Sequence, residues 1–293
     1  MTDIQCVVDA KAQLGEATCW DADEECLWWV DIYGRMIHRY DPSRSEIKTF
    51  SAPARPGSLA VRAQGGLVVA MGNGFHFFDP KTHQFKLIID VDPGNANTHM
   101  NDGKTDRQGR FWSGTEFETE GKPAQSAAAL YRLDADLCCR KMIDGVTCAN
   151  GLAWSPDGRT MYFTDSGTPY VWAWSFDAAS GDIENRRVFI DLSSINGIGD
   201  GATVDSDGCY WLTMPFRGEV RRYDPRGKLM QAIHLPTDTP TCCEFGGKDL
   251  AILYVTTATL KRSPQELTHQ PRAGGLFAID AGVKGLRSLA FKG

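Results

Sequence analysis

The chain is predicted to be all-β, a six-bladed β-propeller of four-stranded blades forming one domain over residues 1–293. Three observations predict it: strand-like runs repeating at blade length, glycine-bearing turns inside the repeats, and no long stretch of 3.6-residue periodicity. The repeat unit is a β-branched or aromatic run, a hairpin signal, and a closing strand that ends in Asp. It occurs at 27–32 with 36–41, 66–70 with 74–79, 109–114 with 129–134, 160–165 with 171–177, 208–212 with 219–224, and 250–255 with 275–280. The closing residues Asp41, Asp79, Asp134, Asp177, Asp224 and Asp280 recur at an average of about 48 residues, the length of a four-stranded blade. The tetrads 106–109, 155–158 and 205–208 each end in Gly, where a tight strand connection needs positive φ. Many short strands leave a sandwich, a barrel or a propeller, and six blade-length repeats favour the propeller. The run 5–8, Gln-Cys-Val-Val, is expected to pair into the last blade and close the ring.

Bulk properties narrow the function classes. With 42% hydrophobic and 23% charged residues, the 293-residue chain can build a sizeable core. A net charge of −6 without any basic run argues against a nucleic-acid surface, which needs clustered Lys and Arg to neutralise phosphates. No apolar run approaches the ~20 residues that span a bilayer, and no signal-peptide pattern is visible. Nine cysteines cannot all pair, and none forms a C-x-x-C motif. They read as reduced thiols in a cytoplasmic protein.

The chemistry is sought where the inner strands of the blades converge on the axis. Polar residues just ahead of the apolar runs are Glu16 in blade one, the segment His99-Met100-Asn101-Asp102-Gly103-Lys104 in blade three, Asn150 in blade four and Asp200 in blade five. In Asn150-Gly151, Asp200-Gly201 and Asn101-Asp102-Gly103, a Gly follows the polar group and lets the backbone approach the axis. Each dipeptide alone is an ordinary turn signal. Their repetition at equivalent blade positions points to a shared centre. Two carboxylates and an amide oxygen form a hard, oxygen-only set suited to Ca²⁺, Mg²⁺ or Mn²⁺, whereas zinc more often recruits His or Cys.

Taken together, Leu14-Gly15-Glu16 with 29–32, Asn101-Asp102-Gly103-Lys104 with Asp106, 150–155 with 162–166, Asp200-Gly201 and 240–247 resemble the SMP-30/gluconolactonase/regucalcin-like family along almost the whole chain. The resemblance implies a sugar-lactonase propeller with Glu16, Asn150 and Asp200 on one divalent ion, Ca²⁺ first, with Zn²⁺, Mn²⁺, Mg²⁺ or Fe²⁺ as alternatives. It implies substrate contact by Asn101, and by an acidic residue that maps onto Glu116 or Glu118. Two departures bear on the substrate site. Ala17-Thr18 stands where the family often has Gly-Pro, and His99 where some members carry Arg.

The expected reaction is metal-assisted hydrolysis of an aldono-1,4- or 1,5-lactone of the gluconolactone, xylonolactone or arabinonolactone kind. Water attacks the polarised carbonyl and Asp200 acts as general base. Other readings are a phosphotriesterase or esterase and a non-catalytic calcium-binding regulator. The expected partner is the small lactone alone, with the protein a monomer or weak homo-oligomer. His99, two residues from Asn101 on an extended backbone, should line the pocket mouth, and an imidazole there favours a neutral lactone over an acidic one. His38, His76, His83, His234 and His269 read as structural or surface residues, and the tryptophans as blade packing.

Overall fold

In the computed structural model, which describes residues 3–118 and 125–293, twenty-four strands form six four-stranded antiparallel sheets in a ring. Blade 1 is Gly15–Asp21, Cys26–Asp31, Met36–Asp41 and Glu46–Ser51. Blade 2 is Pro56–Val61, Leu67–Met71, Gly74–Asp79 and Gln84–Asp90; blade 3 is Thr98–Thr105, Phe111–Phe117, Ala128–Leu133 and Cys139–Val146. Blade 4 is Ala149–Trp154, Thr160–Asp165, Tyr170–Phe176 and Ile183–Asp191; blade 5 is Ala202–Val204, Tyr210–Met214, Glu219–Tyr223 and Leu229–His234. Blade 6 takes Pro240–Gly246, Ile252–Thr257 and Leu276–Asp280 from one end of the chain, and Ile4–Val8 from the other. Cys6 opposite Phe277 is the closing pair. The expected fold is the observed one.

Burial across a blade explains the sequence pattern. Inner and middle strands are buried along nearly their whole length, and the outermost strands, such as Glu46–Ser51 and Leu229–His234, are mostly exposed. The six closing aspartates mark the ends of third strands, and a more exposed fourth strand lies beyond each in the sheet order. Large side chains fill the wedges between blades. Trp28 stacks on Phe50, which meets Phe78; Trp112 meets Trp154 and Phe176, Tyr162 meets Tyr210, Trp211 meets Phe245, and Trp20 stacks on Tyr254. Such aromatic contacts bury large areas with offset or edge geometry, which fixes how blades sit against each other.

Two blades share a buried anchor. In Asp106-Arg107-Gln108-Gly109-Arg110-Phe111-Trp112, Asp106 Oδ2 accepts from Trp112 Nε1 (2.9 Å) and Arg110 Nε (2.6 Å). In Asp205-Ser206-Asp207-Gly208-Cys209-Tyr210-Trp211, Asp205 Oδ2 accepts from Trp211 Nε1 (2.9 Å) and Arg222 Nε (2.7 Å). Each aspartate also caps its own turn, accepting from the backbone N–H groups at the second and fourth positions after it. The turn tetrads therefore do more than reverse the chain: their first residue ties the turn to the blade core.

The remainder is mostly loops. The short helix Pro264–His269 carries a capping box between Ser263 and Glu266, and a single 3₁₀ turn covers Ser193–Ile195. Residues 284–293 run across one end of the ring, where Ser206 N donates to Lys284 O, Thr105 Oγ1 to Leu289 O, and Phe291 N to Val61 O. Phe291 is fully buried in the cluster around Phe75 and Phe111. All nine cysteines are free thiols. Among the described residues no helix is long and apolar enough to cross a membrane.

His38 is a packing residue whose burial has a pH signature. Its ring stacks on Trp29 at 4.0 Å and its Nδ1 meets Thr49 Oγ1 at 2.9 Å. Desolvation pushes its pKa down from 6.5 to about 4. The unfolded chain therefore binds this proton first, so stability is full above pH ~6.5 and falls between there and pH ~4. Urea unfolding should show about 2–3 kcal/mol less acid sensitivity from pH 7 to 4.5 in His38→Gln than in the parent.

Candidate metal centre

The polar residues singled out in the sequence occupy one end of the inner strands. Glu16 and Asn150 are each the second residue of their inner strand, Asn101 the fourth of its own, and Asp200 lies two residues before Ala202–Val204. Register shifts interrupt the inner-strand pairing at Glu16/Cys19, Met100/Gly103, Asn150/Ala153 and Pro240/Cys243. A bulge adds one unpaired residue and re-aims its neighbours. The pairing of blade 2 shifts likewise at Pro56/Ser58, and the bulges at Glu16, Asn101 and Asn150 turn those side chains toward a common axis; Asp200 precedes its unshifted strand. The residue after the carboxylate or amide adopts the left-handed conformation in two blades: Gly151 at φ 66° and Ala17 at φ 54°. Ala17 thus holds a conformation that favours glycine, the residue type the family often has there.

These residues line one cavity of about 280 Å³. Glu16, Asn101, Asn150 and Asp200 contribute to it, with Thr241, Cys148 and Ser166 beside them and Leu14, Ile198, Phe216 and Leu260 among the walls. Glu16 Oε2 accepts from Ala17 N at 3.1 Å, and the Asp200 carboxyl lies close enough to perturb that of Glu16. Burial, then the Asp200 and Asp102 carboxylates, push the pKa of Glu16 well up; burial, then Asp102 and Glu116, do the same for Asp200. Two buried carboxyls whose charged forms are disfavoured by desolvation and neighbouring carboxylates are poorly placed in a protein alone and well placed around a cation.

The amide orientations fit the same picture. Asn150 Nδ2 donates to Ser166 Oγ (2.8 Å) and Cys148 Sγ (3.5 Å), so its Oδ1 is the atom left for the cavity. That oxygen receives only a long 3.4 Å contact from Asn101 Nδ2. Asn101 Nδ2 is itself committed to Ala149 O at 2.9 Å, which leaves Asn101 Oδ1 as an acceptor toward the cavity. Oxygen donors from three blades, two of them carboxylates that repel when bare, fit a hard divalent cation.

Supporting residues that the sequence did not single out repeat as well. Asp31 Oδ1 and Oδ2 accept from Gln13, Leu14 and Gly34 N–H groups, each at 3.0 Å. Asp165 does the same for Thr147, Cys148 and Gly167, each at 3.0 Å. Each aspartate ends the second strand of its blade and clamps the segment that leads to Glu16 or Asn150. Their common place in Trp-Val-Asp-Ile and Phe-Thr-Asp-Ser was the available signal. Asp102 lies beneath the carboxyl pair and accepts from Leu152 N at 3.3 Å. Toward the other end of the ring, Lys104 Nζ donates to Glu244 Oε2 (2.9 Å) and Ala202 O (2.7 Å), an ion pair nearly closed to solvent.

The remaining expected contacts separate. Glu116 and Glu118 both line the cavity. Glu118 is held by Tyr33 Oη (2.8 Å) and Arg55 Nη1 (2.7 Å), which keep its carboxyl below the usual range although burial opposes this. Glu116 faces His99, with Nε2 at 3.4 Å from Oε2. His99 lines an adjoining groove with Arg55, Thr98 and Glu118 and reaches the cavity through Glu116. The reason is register: His99 sits directly opposite Glu116, before the bulge that turns Asn101 inward. A separate acidic group, Asp21, Glu24 and Cys26, lies at a hairpin where Asp21 caps the turn and Glu24 pairs with Arg39.

The family described as SMP-30/Gluconolactonase/LRE-like region matches residues 14–259. The chain belongs to that family. Regucalcin of Xenopus laevis is 38% identical over 99% of this chain and 98% of its own. The 6-deoxy-6-sulfogluconolactonase of Pseudomonas putida is 33% identical over 99% of both. Among solved structures, a regucalcin of Agrobacterium tumefaciens, described as a calcium-binding protein, superposes with a TM-score of 0.94 at 25% identity, covering 99% of this chain and 97% of that one.

Proposed function

We propose that the protein is a metal-dependent sugar lactonase that opens an aldono-1,4- or 1,5-lactone to the sugar acid. One observation carries this reading: the Glu16 and Asp200 carboxyls lie beside the Asn150 oxygen in one small-ligand cavity, in a chain whose family includes lactonases. Glu16, Asn150 and Asp200 hold the ion, Ca²⁺ being the first choice for an all-oxygen set. When bound, a divalent cation supplies Lewis-acid polarisation of the lactone carbonyl.

The protein's own groups do the rest. Asn101 presents its Oδ1 to a ring hydroxyl, and Ser166 and Cys148 keep the Asn150 amide turned so that its oxygen faces inward. Asp200 takes a proton from the attacking water as the new C–O bond forms at the carbonyl carbon. The ring C–O bond then breaks, and that proton passes to the departing ring oxygen, leaving a hydroxyl and a carboxylic acid that ionises by releasing its remaining proton to solvent. Glu118, fixed by Tyr33 and Arg55, borders the mouth where the sugar hydroxyls emerge. The same ring of strands gives a rigid scaffold, which favours catalysis over a calcium-driven conformational switch.

The test is a panel of sugar lactones and a phosphotriester, assayed before and after chelation and after re-addition of single metals. Lactone turnover that disappears with chelator and returns with one ion is the expected outcome. Phosphotriester turnover without lactone turnover would assign the esterase alternative, and stoichiometric calcium with no turnover of either would assign the regulator.

A further inference from the structure

One charge at the cavity is not used by the hydrolysis just described. Lys261 lines the rim, on the loop between Ile252–Thr257 and the short helix Pro264–His269. The acidic side of the same cavity is answered from within the protein: Glu118 by Arg55 and Tyr33, and Glu116 by His99. Next to Lys261, Arg262 is paired with Asp238 (3.0 Å) and Glu266 (3.2 Å). Among the described residues, Lys261 has no carboxylate within ion-pair distance.

The loop is built to hold that cation in place. Leu260 N donates to Gln13 O at 2.9 Å, Thr259 N to Ala12 O at 3.2 Å, and Arg262 N to Thr259 O at 3.2 Å. The Arg262 guanidinium lies 4.9 Å from the Phe216 ring, on the cavity wall. Lys261 itself has φ 60°, a left-handed conformation in the turn closed by Arg262 N and Thr259 O. The backbone is thus fastened on both sides of Lys261, and the residue is presented at the rim beside Leu260, Ile198 and Phe216. Lys261 is exposed, so a charge contact made there is open to screening by salt.

We infer that Lys261 reads an anionic group on the substrate, at the end remote from the lactone carbonyl. The inference rests on the lactonase reading, because Glu16 and Asp200 then fix where the carbonyl lies and leave the other end of the sugar toward the rim. The ligand chemistry is a lactone carrying a carboxylate, phosphate or sulfonate. This moves the discrimination between neutral and acidic lactones from His99, which faces Glu116, to a cation on the opposite rim. Lys261 is accordingly a specificity residue, and the chemical step does not depend on it.

The experiment compares kcat and KM on neutral D-glucono-1,5-lactone with those on 6-phospho-D-glucono-1,5-lactone and D-glucaro-1,4-lactone. The proteins are the metal-loaded parent and Lys261→Gln, Lys261→Glu and Lys261→Arg. The parent is expected to prefer at least one anionic lactone, through KM, and to lose part of that preference in high salt. Lys261→Gln should lower kcat/KM for that lactone about tenfold with the neutral lactone unchanged, Lys261→Glu further still, and Lys261→Arg should restore it. Which anion gains most separates phosphate from carboxylate. Equal ratios of anionic to neutral rates in parent and Lys261→Gln would overturn the inference while neutral turnover leaves the lactonase reading standing. Absence of turnover on every lactone would overturn both.

Discussion

Asp200→Ala and Glu16→Ala are expected to lose bound metal and to lower kcat/KM by roughly 10³-fold. Removing a cation that polarises a carbonyl forfeits several kcal/mol of transition-state stabilisation. Each variant should stay folded, because both side chains belong to the cavity and not to the wedges between blades. A second readout follows from the electrostatics. Burial and the surrounding carboxylates disfavour the charged forms of the metal-free pair, so Asp200→Asn should melt higher than the metal-free parent. Adding metal should then raise the melting temperature of the parent and leave that of the variant unchanged. Elemental analysis that finds one ion per chain in the Glu16→Ala, Asp200→Ala double variant would remove these residues from the metal site.

Asp205→Ala is expected to be the most destabilising of the changes considered, at about 3–5 kcal/mol. It strips the partner from Trp211 Nε1 and Arg222 Nε and from two turn N–H groups, while Asp205 itself is fully buried. A buried donor left unmatched costs the full desolvation of that group. Asp205→Asn should lose less, because an amide oxygen can still accept from the indole. Urea unfolding followed by tryptophan fluorescence, at constant m-value, measures both. A loss below 1 kcal/mol for the alanine variant would mean that the anchor holds the turn and not the blade. Asp106, which repeats the arrangement in blade 3, should behave alike.

Much of this was legible in the sequence, for physical reasons. The second and third strands of each blade are buried and apolar, so they announced the repeat. The fourth strands are exposed, and runs such as Glu-Ile-Lys-Thr-Phe-Ser carry no buried face to read. Glu16, Asn150 and Asp200 could be picked because the repeat places a polar residue at the same point of several blades. Asp31 and Asp165 were harder: a short-range cap looks like any strand-ending aspartate until the backbone it clamps is known. His99 shows the limit of a two-residue period, since the bulge between Met100 and Gly103 shifts the register beside it. Lys261 carries no motif at all, and only the folded loop brings it to the cavity.

The closing pair of blade 6 has a consequence for biosynthesis. Cys6 and Phe277 are opposite each other in the ring but lie about 270 residues apart along the chain, near the extreme of contact order. While the ribosome is still making blade 6, the earlier blades must wait as an open arc. The inner strand of blade 1 then lacks its neighbour, and Ile4–Val8 has no sheet to join. Unpaired strand edges and uncovered Trp20 are what makes a nascent chain prone to associate with its copies. Yield on expression should therefore depend on translation speed and chaperone supply over the last blade, more than on the stability of the finished ring.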